Sequence, residues 1–426
     1  MLLTVTIAVI ILIALGLPIS FSLAAASVLA LLLDGRVPLS LVPQLIFSSV
    51  DSFVLLAVPL FILAGALMET GGISSRLINF AQALIGHVRG GLGMTVVIAE
   101  IFFSGISGST AADVSAIGAF LIPTMKQGGY TTGQAISIVS AASAMGILVP
   151  PCIMMVVLGG QSNISVGALF AAGFIPAFVL ALGIMILIYV QARRAGMPAK
   201  KRASFAYMGK AFLSALIPLG MPIILFGAIL TGITTPTEAA VLAVIYALVV
   251  GLFIYREIKI RDLPRIFMSS AVGTANILWL VGAATIFGYI LNREGLPRGI
   301  SELLTSLAVG PLLFLLISDV LFLLFGAILE GLPAVIILMP IFLPIAARLG
   351  INPIHYSITV IAAIGIGLFL PPIGVGIYIA CNIAKCSLEE PIKPIMPYIA
   401  VLFAGLLVVT YIPWLTTVVP DLLFNK

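Results

Sequence analysis

The chain has 426 residues, of which 62% are hydrophobic and only 8% charged, whereas soluble domains carry about 25% charged residues. That composition excludes a soluble globular protein, and the many separate apolar runs of about 20 residues mark an integral membrane protein. The net charge of +5 comes from basic residues gathered in a few loops, which reads as membrane topology and leaves no footprint for nucleic acid.

The first stretch, MLLTVTIAVIILIALGLPIS, lacks the basic start and small-residue cleavage site of a secretory signal, so it is expected to be a retained span. Residues 2–17 and 20–33 form two apolar segments joined at Pro18, since proline is tolerated where a helix begins. Residues 43–68 make the next span, bent or initiated near Pro59. Residues 74–88, with Arg76 and His87, are amphipathic and expected as an interfacial arm.

Residues 91–125 then read as a re-entrant helical hairpin. Two apolar runs, each too short to cross comfortably, flank the polar tract FSGISGSTAAD at Phe103 to Asp113. Residues 132–160 are long enough to cross, but Pro150 and Pro151 remove two backbone donors and break the helix. Residues 167–191 cross back to the most basic loop, which holds Arg193, Arg194, Lys200, Lys201, Arg202 and Lys210.

A second copy follows. Residues 212–230 and 236–254 are spans meeting at Thr235-Pro236, the counterpart of Leu17-Pro18. Residues 267–291 cross, 297–308 make a second arm, 310–347 a second hairpin and 354–382 a helix broken at Pro371 and Pro372. Residues 395–415 are the last span. A shift of 221 positions carries Gly105 onto Gly326, Gly146 onto Gly367 and Pro150-Pro151 onto Pro371-Pro372 without a gap. The expected fold is therefore an all-α polytopic membrane protein of two inverted-topology repeats, each with five spans and a re-entrant hairpin. Residues 1–191 form the first repeat, 192–211 a basic loop, 212–415 the second repeat and 416–426 a tail.

Five crossings per copy, an odd number, require the second copy to be inverted, the architecture of secondary transporters. Placing the two strongly basic loops in the cytoplasm puts 15 of the 20 Lys and Arg inside. Both termini then face the outside.

A hairpin tip inside a membrane exposes backbone groups that hydrocarbon cannot satisfy. Ser104, Ser107, Ser109 and Thr110 supply hard oxygens suited to Na+, Gly105 and Gly108 let carbonyls turn inward, and Asp113 can cap a helix or add negative charge to an ion site. Close packing of small residues is the competing explanation. Glu330 falls inside the second tip and Asp319 upstream of it. Glu238 reads as a first-turn carboxylate, and the roles of Glu69 and Glu100 stay open. His87 and His355 are isolated, Cys152, Cys381 and Cys386 have no metal-ligand spacing, and no phosphate loop or nucleophile elbow appears. No enzyme, cofactor or ATP hydrolysis is expected, and transport would be driven by an ion gradient.

The segments FFSGISGSTAADVSAIGAFLIPTMKQGGY at 102–130, ILVPP at 147–151, GITTPTEAA at 232–240 and LPPIGVGIY at 370–378 resemble the large membrane subunit of the tripartite ATP-independent periplasmic (TRAP) transporters, over almost the whole chain. The resemblance implies an elevator-type carrier of the ion transporter superfamily in the bacterial inner membrane, moving Na+ with a small organic carboxylate. It also implies two partners, a small four-helix membrane subunit and a periplasmic substrate-binding protein. Carried over by motif, sodium would engage Ser104, Gly105, Ser107 and Gly146 in the first copy, and Gly326, Gly367 and Pro371 in the second. Substrate would touch Ser109, Thr110, Asp113, Glu330, Pro372 and Gly374. A stand-alone anion carrier, a channel and a non-transporting scaffold are the alternatives.

Overall fold

The computed structural model describes residues 1–199, 202–307, 309–329 and 331–424, with only the backbone of Ile106, Ser107 and Thr305. Lys200, Lys201 and the expected site residue Glu330 lie outside the described residues, as does the side chain of Ser107.

All regular structure among the described residues is helical. Two short helices, α1 (Leu2–Ala14) and α2 (Ile19–Asp34), open the chain, with Pro18 at the N-cap of α2. The third expected span is instead two helices, α3 (Leu41–Val50) and α4 (Ala57–Thr70). They are bent by 67° across Asp51 to Phe53, ahead of Pro59. The first arm is α5 (Ile73–Ile85), and α6 (Gly91–Ser107) with α7 (Thr110–Gln127) makes a helical hairpin. The helix expected to break does so, into α8 (Thr132–Gly146) and α9 (Ile153–Ser162), followed by α10 (Val166–Arg194).

The rest of the chain is also helical. It runs α11 (Phe205–Leu230), α12 (Pro236–Val249) continued by a π-helical turn, α13 (Leu263–Arg293) and the second arm α14 (Leu296–Ser306). Then come α15 (Pro311–Leu329), α16 (Gly331–Arg348), the broken pair α17 (Pro353–Gly367) and α18 (Val375–Ala384), and α19 (Glu389–Tyr411). The stretch expected as a tail from residue 416 is helical, in α20 (Trp414–Phe424). The basic linker is narrower than its expected 192–211, because helices occupy both of its ends.

Seven helices are long and apolar enough to cross a bilayer, or eight if α3 and α4 count as one bent span. The seven are α10, α11, α12 with its π-turn, α13, α15, α16 and α19. Length therefore licenses fewer than the ten crossings expected, and it admits both α15 and α16, read from sequence as halves of a hairpin.

Packing divides the helices into two groups. At the centre of one, α8 and α17 are buried continuously from Ala135 to Gly146 and from His355 to Gly367. The small residues of α8, ISIVSAASAMG, let neighbouring backbones approach closely. The helices α6, α7, α10, α15, α16, α18, α19 and α20 surround this pair. In the other group α12 packs on α4, α11 on α5, and α13 on α2, α3 and α4. The groups meet where α6 touches α4 and α5 and where α16 touches α13.

Candidate functional site

The first hairpin closes at Gly108, whose φ of +62° is a left-handed conformation that favours glycine. Ser109 is extended and Thr110 begins α7. The tip sits on the break of the α8–α9 pair: the Gly108 carbonyl accepts a hydrogen bond from the Ile153 backbone N–H at 3.3 Å. The Pro150 carbonyl approaches Gly105, and the Pro151 carbonyl approaches Gly108.

Beside this tip is a cavity of about 190 Å³. Gly108, Ser109 and Thr110 line one part, Cys152 and Ile153 another, and Gly331, Leu332, Val375 and Gly376 the rest, with Ile277 of α13 closing it. Four helices begin at its wall: α7 at Thr110, α9 at Ile153, α16 at Gly331 and α18 at Val375. No side chain caps the N-terminus of α7, α9 or α18. The Ile153 and Gly376 N–H groups are taken by the Gly108 and Leu368 carbonyls, and the positive ends of four helix dipoles lie at the cavity wall. The arrangement suits an anion.

The cavity shares Ser109, Ile153 and Ile277 with a neighbouring one of about 240 Å³, which Glu69 of α4 also lines. A separate polar cavity of about 470 Å³ is walled by Ser48, Ser49, Ser52, Asn163, Thr285 and Asn292, among others.

Inside the first hairpin lies a second arrangement. Ser104 Oγ donates to Asp113 Oδ2 and lies 3.3 Å from Glu100 Oε1. Glu100, Ser104 and Asp113 are all buried. Glu100 and Ser104 share one face of α6 by their four-residue spacing. Glu100 Oε2 and the hydroxyls of Ser140 and Ser143 on α8 are buried with no hydrogen-bond partner among the described residues, and Ser143 neighbours Glu100. Gly146 completes the wall, since a methyl there would fall on Ser104 Oγ and Glu100 Oε1. Two carboxyl groups and several hydroxyl oxygens thus meet in one buried cluster, and buried carboxyls need a compensating partner. Hard oxygens of this kind fit a small cation such as Na+. Among the described residues no group of three or more His, Cys, Asp and Glu is placed to hold a metal ion.

Of the residues expected from sequence, Ser109 and Thr110 line the central cavity, while Asp113 turns into the hairpin toward Ser104. Gly105 faces an apolar cavity behind the tip. In the later half, Gly326 packs on the Ile364 backbone and Gly367 on the Leu323 carbonyl, so α15 and α17 are in backbone contact. Pro371, Pro372 and Gly374 form the α17–α18 joint, outside the cavity lining formed by Val375 and Gly376. The Pro372 carbonyl accepts from the Tyr378 hydroxyl at 3.1 Å.

Glu100 is the residue whose role the sequence left open. Its spacing from Ser104 is legible along the chain, but the approach of Asp113 and Ser143 is tertiary. Glu238 caps α12 reciprocally with Thr235, as its first-turn position suggests. Asp319 is buried against Thr410, whose Oγ1 donates to it at 2.7 Å. His355, isolated in sequence, is buried between Thr416 Oγ1 at 2.8 Å and the Thr410 carbonyl at 3.1 Å.

Comparison with known proteins agrees with this architecture. The family profile described as "Tripartite ATP-independent periplasmic transporter, DctM component" matches residues 6–415. The chain is 37% identical over 376 residues to a C4-dicarboxylate TRAP transporter large permease protein of Pseudomonas aeruginosa, covering 88% of each. It is 33% identical over 392 residues to the sialic acid TRAP transporter large permease protein of Vibrio cholerae, covering 92% of each. An isethionate TRAP transporter permease protein, DctMQ, of Oleidesulfovibrio alaskensis is longer: the match, at 36% identity, spans 92% of this chain and 62% of that one. Among solved structures, the YdaH transporter of Alcanivorax borkumensis has a similar fold, with a TM-score of 0.68, 17% identity and 88% of each chain covered. The chain belongs to the tripartite ATP-independent periplasmic transporter family as a DctM-type large permease, a multi-pass membrane transport component.

Proposed function

We propose that this permease carries a small organic carboxylate across the inner membrane together with Na+. The observation that carries the reading is the meeting of four helix N-termini on one cavity, an arrangement that favours a carboxylate over a neutral solute. Relatives named for C4-dicarboxylate, sialic acid and 2,3-diketo-L-gulonate transport are consistent with an organic acid. Substrate would lie against Ser109, Thr110 and the start of α16, with Glu330, Pro372 and Gly374 nearby.

The first sodium ion would sit in the oxygen cluster of Ser104, Glu100, Asp113 and Ser143, next to Gly105, Ser107 and Gly146. This reading moves Asp113 from the substrate to the ion. A second ion would lie near Gly326, Gly367 and Pro371, held mainly by backbone carbonyls. No ATP site or other cofactor is invoked.

The inverted repeat is supported by element bounds that recur at the same 221-residue shift. Helices α7 and α16 are each 18 residues long, and α8 and α17 are each 15. Arg76 pairs with Glu257 at 2.9 Å beside the second basic loop, while Arg293 pairs with Asp34 at 3.0 Å and the N-terminus lies 3.5 Å from Glu294. With the basic face cytoplasmic, both termini are periplasmic.

In this reading the hairpins α6–α7 and α15–α16 are re-entrant and move as one carrier with α8–α10 and α17–α19, elevator-fashion, against the scaffold of α2–α5 and α11–α13. A periplasmic binding protein would deliver substrate. A small four-helix subunit would pack on the scaffold, and the longer DctMQ relative is consistent with such a subunit fused to the permease.

The test is uptake by proteoliposomes holding all three components, offered organic acids and their neutral amide or alcohol analogues. Carboxylates should enter and the analogues should not, and leaving out either partner should abolish uptake. Equal entry of a neutral analogue would remove the anion cradle as the basis of recognition.

A further inference from the structure

Behind the first tip lies a cavity of about 480 Å³ that no transport role uses. Its wall is almost wholly carbon, formed by Phe102 and Gly105 of α6, Phe174 and Phe178 of α10, and Ile223 and Phe226 of α11. Phe174 and Phe226 meet edge to face with centroids 4.9 Å apart. Its mouth is at the lipid-facing surface, since Phe178 is 59% and Ile223 68% exposed. Protein interiors leave few voids larger than a water molecule, and a carbon-lined space offers water no hydrogen bonds. An acyl chain matches such a wall.

The two helices that frame the cavity lead from it to the most basic loop of the sequence. Arg193 and Arg194 end α10, and Arg202 and Lys210 stand at the start of α11. All four are exposed, and none forms an ion pair among the described residues. From Lys210 to Ile223 the helix rises about 20 Å. That is somewhat more than one leaflet's share, roughly 15 Å, of the bilayer hydrocarbon. The cavity thus lies at the depth reached by the end of an acyl chain whose headgroup is among these basic residues. Basic pockets at the ends of membrane helices bind anionic lipid headgroups.

We propose that the seam between α10 and α11 is a binding site for one anionic phospholipid, its headgroup phosphate on Arg193, Arg194, Arg202 and Lys210 and one tail filling the cavity behind Gly105. The site is independent of which solute or ion the permease carries. The tail would lie against both α6, which bears the ion cluster, and α11.

Phosphatidylglycerol with a photoactivatable group at the end of one tail tests this on the unaltered full chain in nanodiscs. Adducts should concentrate on Phe178, Ile223 and Phe226. Tenfold excess unlabelled phosphatidylglycerol should reduce them at least fivefold, and the same excess of phosphatidylcholine should leave them within twofold. Ala177→Trp, which fills the cavity from α10, should lower these adducts at least fivefold, and Arg193→Gln with Arg194→Gln should lower them about threefold or more. Adducts spread evenly over the apolar surface, or equal competition by phosphatidylcholine, would overturn the proposal. So would loss of the adducts when the small membrane subunit is added, because the cavity would then belong to a protein helix.

Discussion

Ser104 Oγ donates to Asp113 Oδ2 across the first hairpin, nine positions along the chain, while Glu100 Oε1 lies 3.3 Å from the same oxygen. A single hydroxyl thus stands between two buried carboxyl groups, beside the Ser140 and Ser143 hydroxyls of α8, which have no hydrogen-bond partner among the described residues. In the proposed sodium site, removing that hydroxyl would take a neutral ligand from the ion. Losing a hydrogen bond to a charged group is worth about 1.5–3 kcal/mol, so Ser104→Ala should raise the Na+ concentration for half-maximal uptake by roughly tenfold or more. Uptake titrated against Na+ checks this, and an unchanged midpoint would separate Ser104 from the ion.

Gly146 and Gly367 occupy matching places at the ends of α8 and α17. A methyl at Gly146 would strike Ser104 Oγ and Glu100 Oε1, and one at Gly367 the Leu323 carbonyl. Gly146→Ala and Gly367→Ala should each reduce uptake at least tenfold with the protein still monodisperse on size exclusion. Gly227→Ala is the control, because nothing lies within 4 Å of its added carbon. It should transport as the parent does.

Asp319 is buried away from the central cavity, and one of its two carboxylate oxygens, Oδ2, accepts from the Thr410 hydroxyl. Its part is to join α15 to α19. Asp319→Asn keeps an acceptor oxygen and should retain uptake within about twofold. Asp319→Ala strands the hydroxyl and opens a void, a loss of about 1–3 kcal/mol, visible as a lower thermal unfolding midpoint. Loss of uptake in the Asn variant at unchanged stability would show instead that its charge takes part in transport.

Thr131 and Gln134 form a reciprocal cap at the start of α8, with Thr131 Oγ1 accepting from the Gln134 N–H at 3.2 Å and Gln134 Oε1 accepting from the Thr131 N–H at 3.0 Å. Thr131→Ala should cost about 1 kcal/mol, measured by thermal unfolding, and Thr131→Ser should restore most of it.

Much of the helical order is legible in the chain because its signals are local. Apolar run length marks the helices, and Pro150-Pro151 and Pro371-Pro372 stop α8 and α17 by removing backbone donors. What was not legible depends on direction in space. The bend between α3 and α4 falls ahead of the proline expected to cause it, and Trp414–Phe424 follows its break as a helix where a tail was expected. Ser109 and Thr110 could be placed at the cavity from the tip alone. Which way Asp113 faces depends on α6, and the catch of His355 between Thr410 and Thr416 depends on α19 and α20 meeting α17.

The most direct test of Na+-coupled carriage is uptake of a labelled organic acid by the three-component proteoliposomes under an inward Na+ gradient, repeated with Na+ replaced by K+. Uptake above the equilibrium level should occur with Na+ and fall to background with K+. The same rate in K+ would contradict the coupling and the role given to the Glu100, Ser104 and Asp113 cluster.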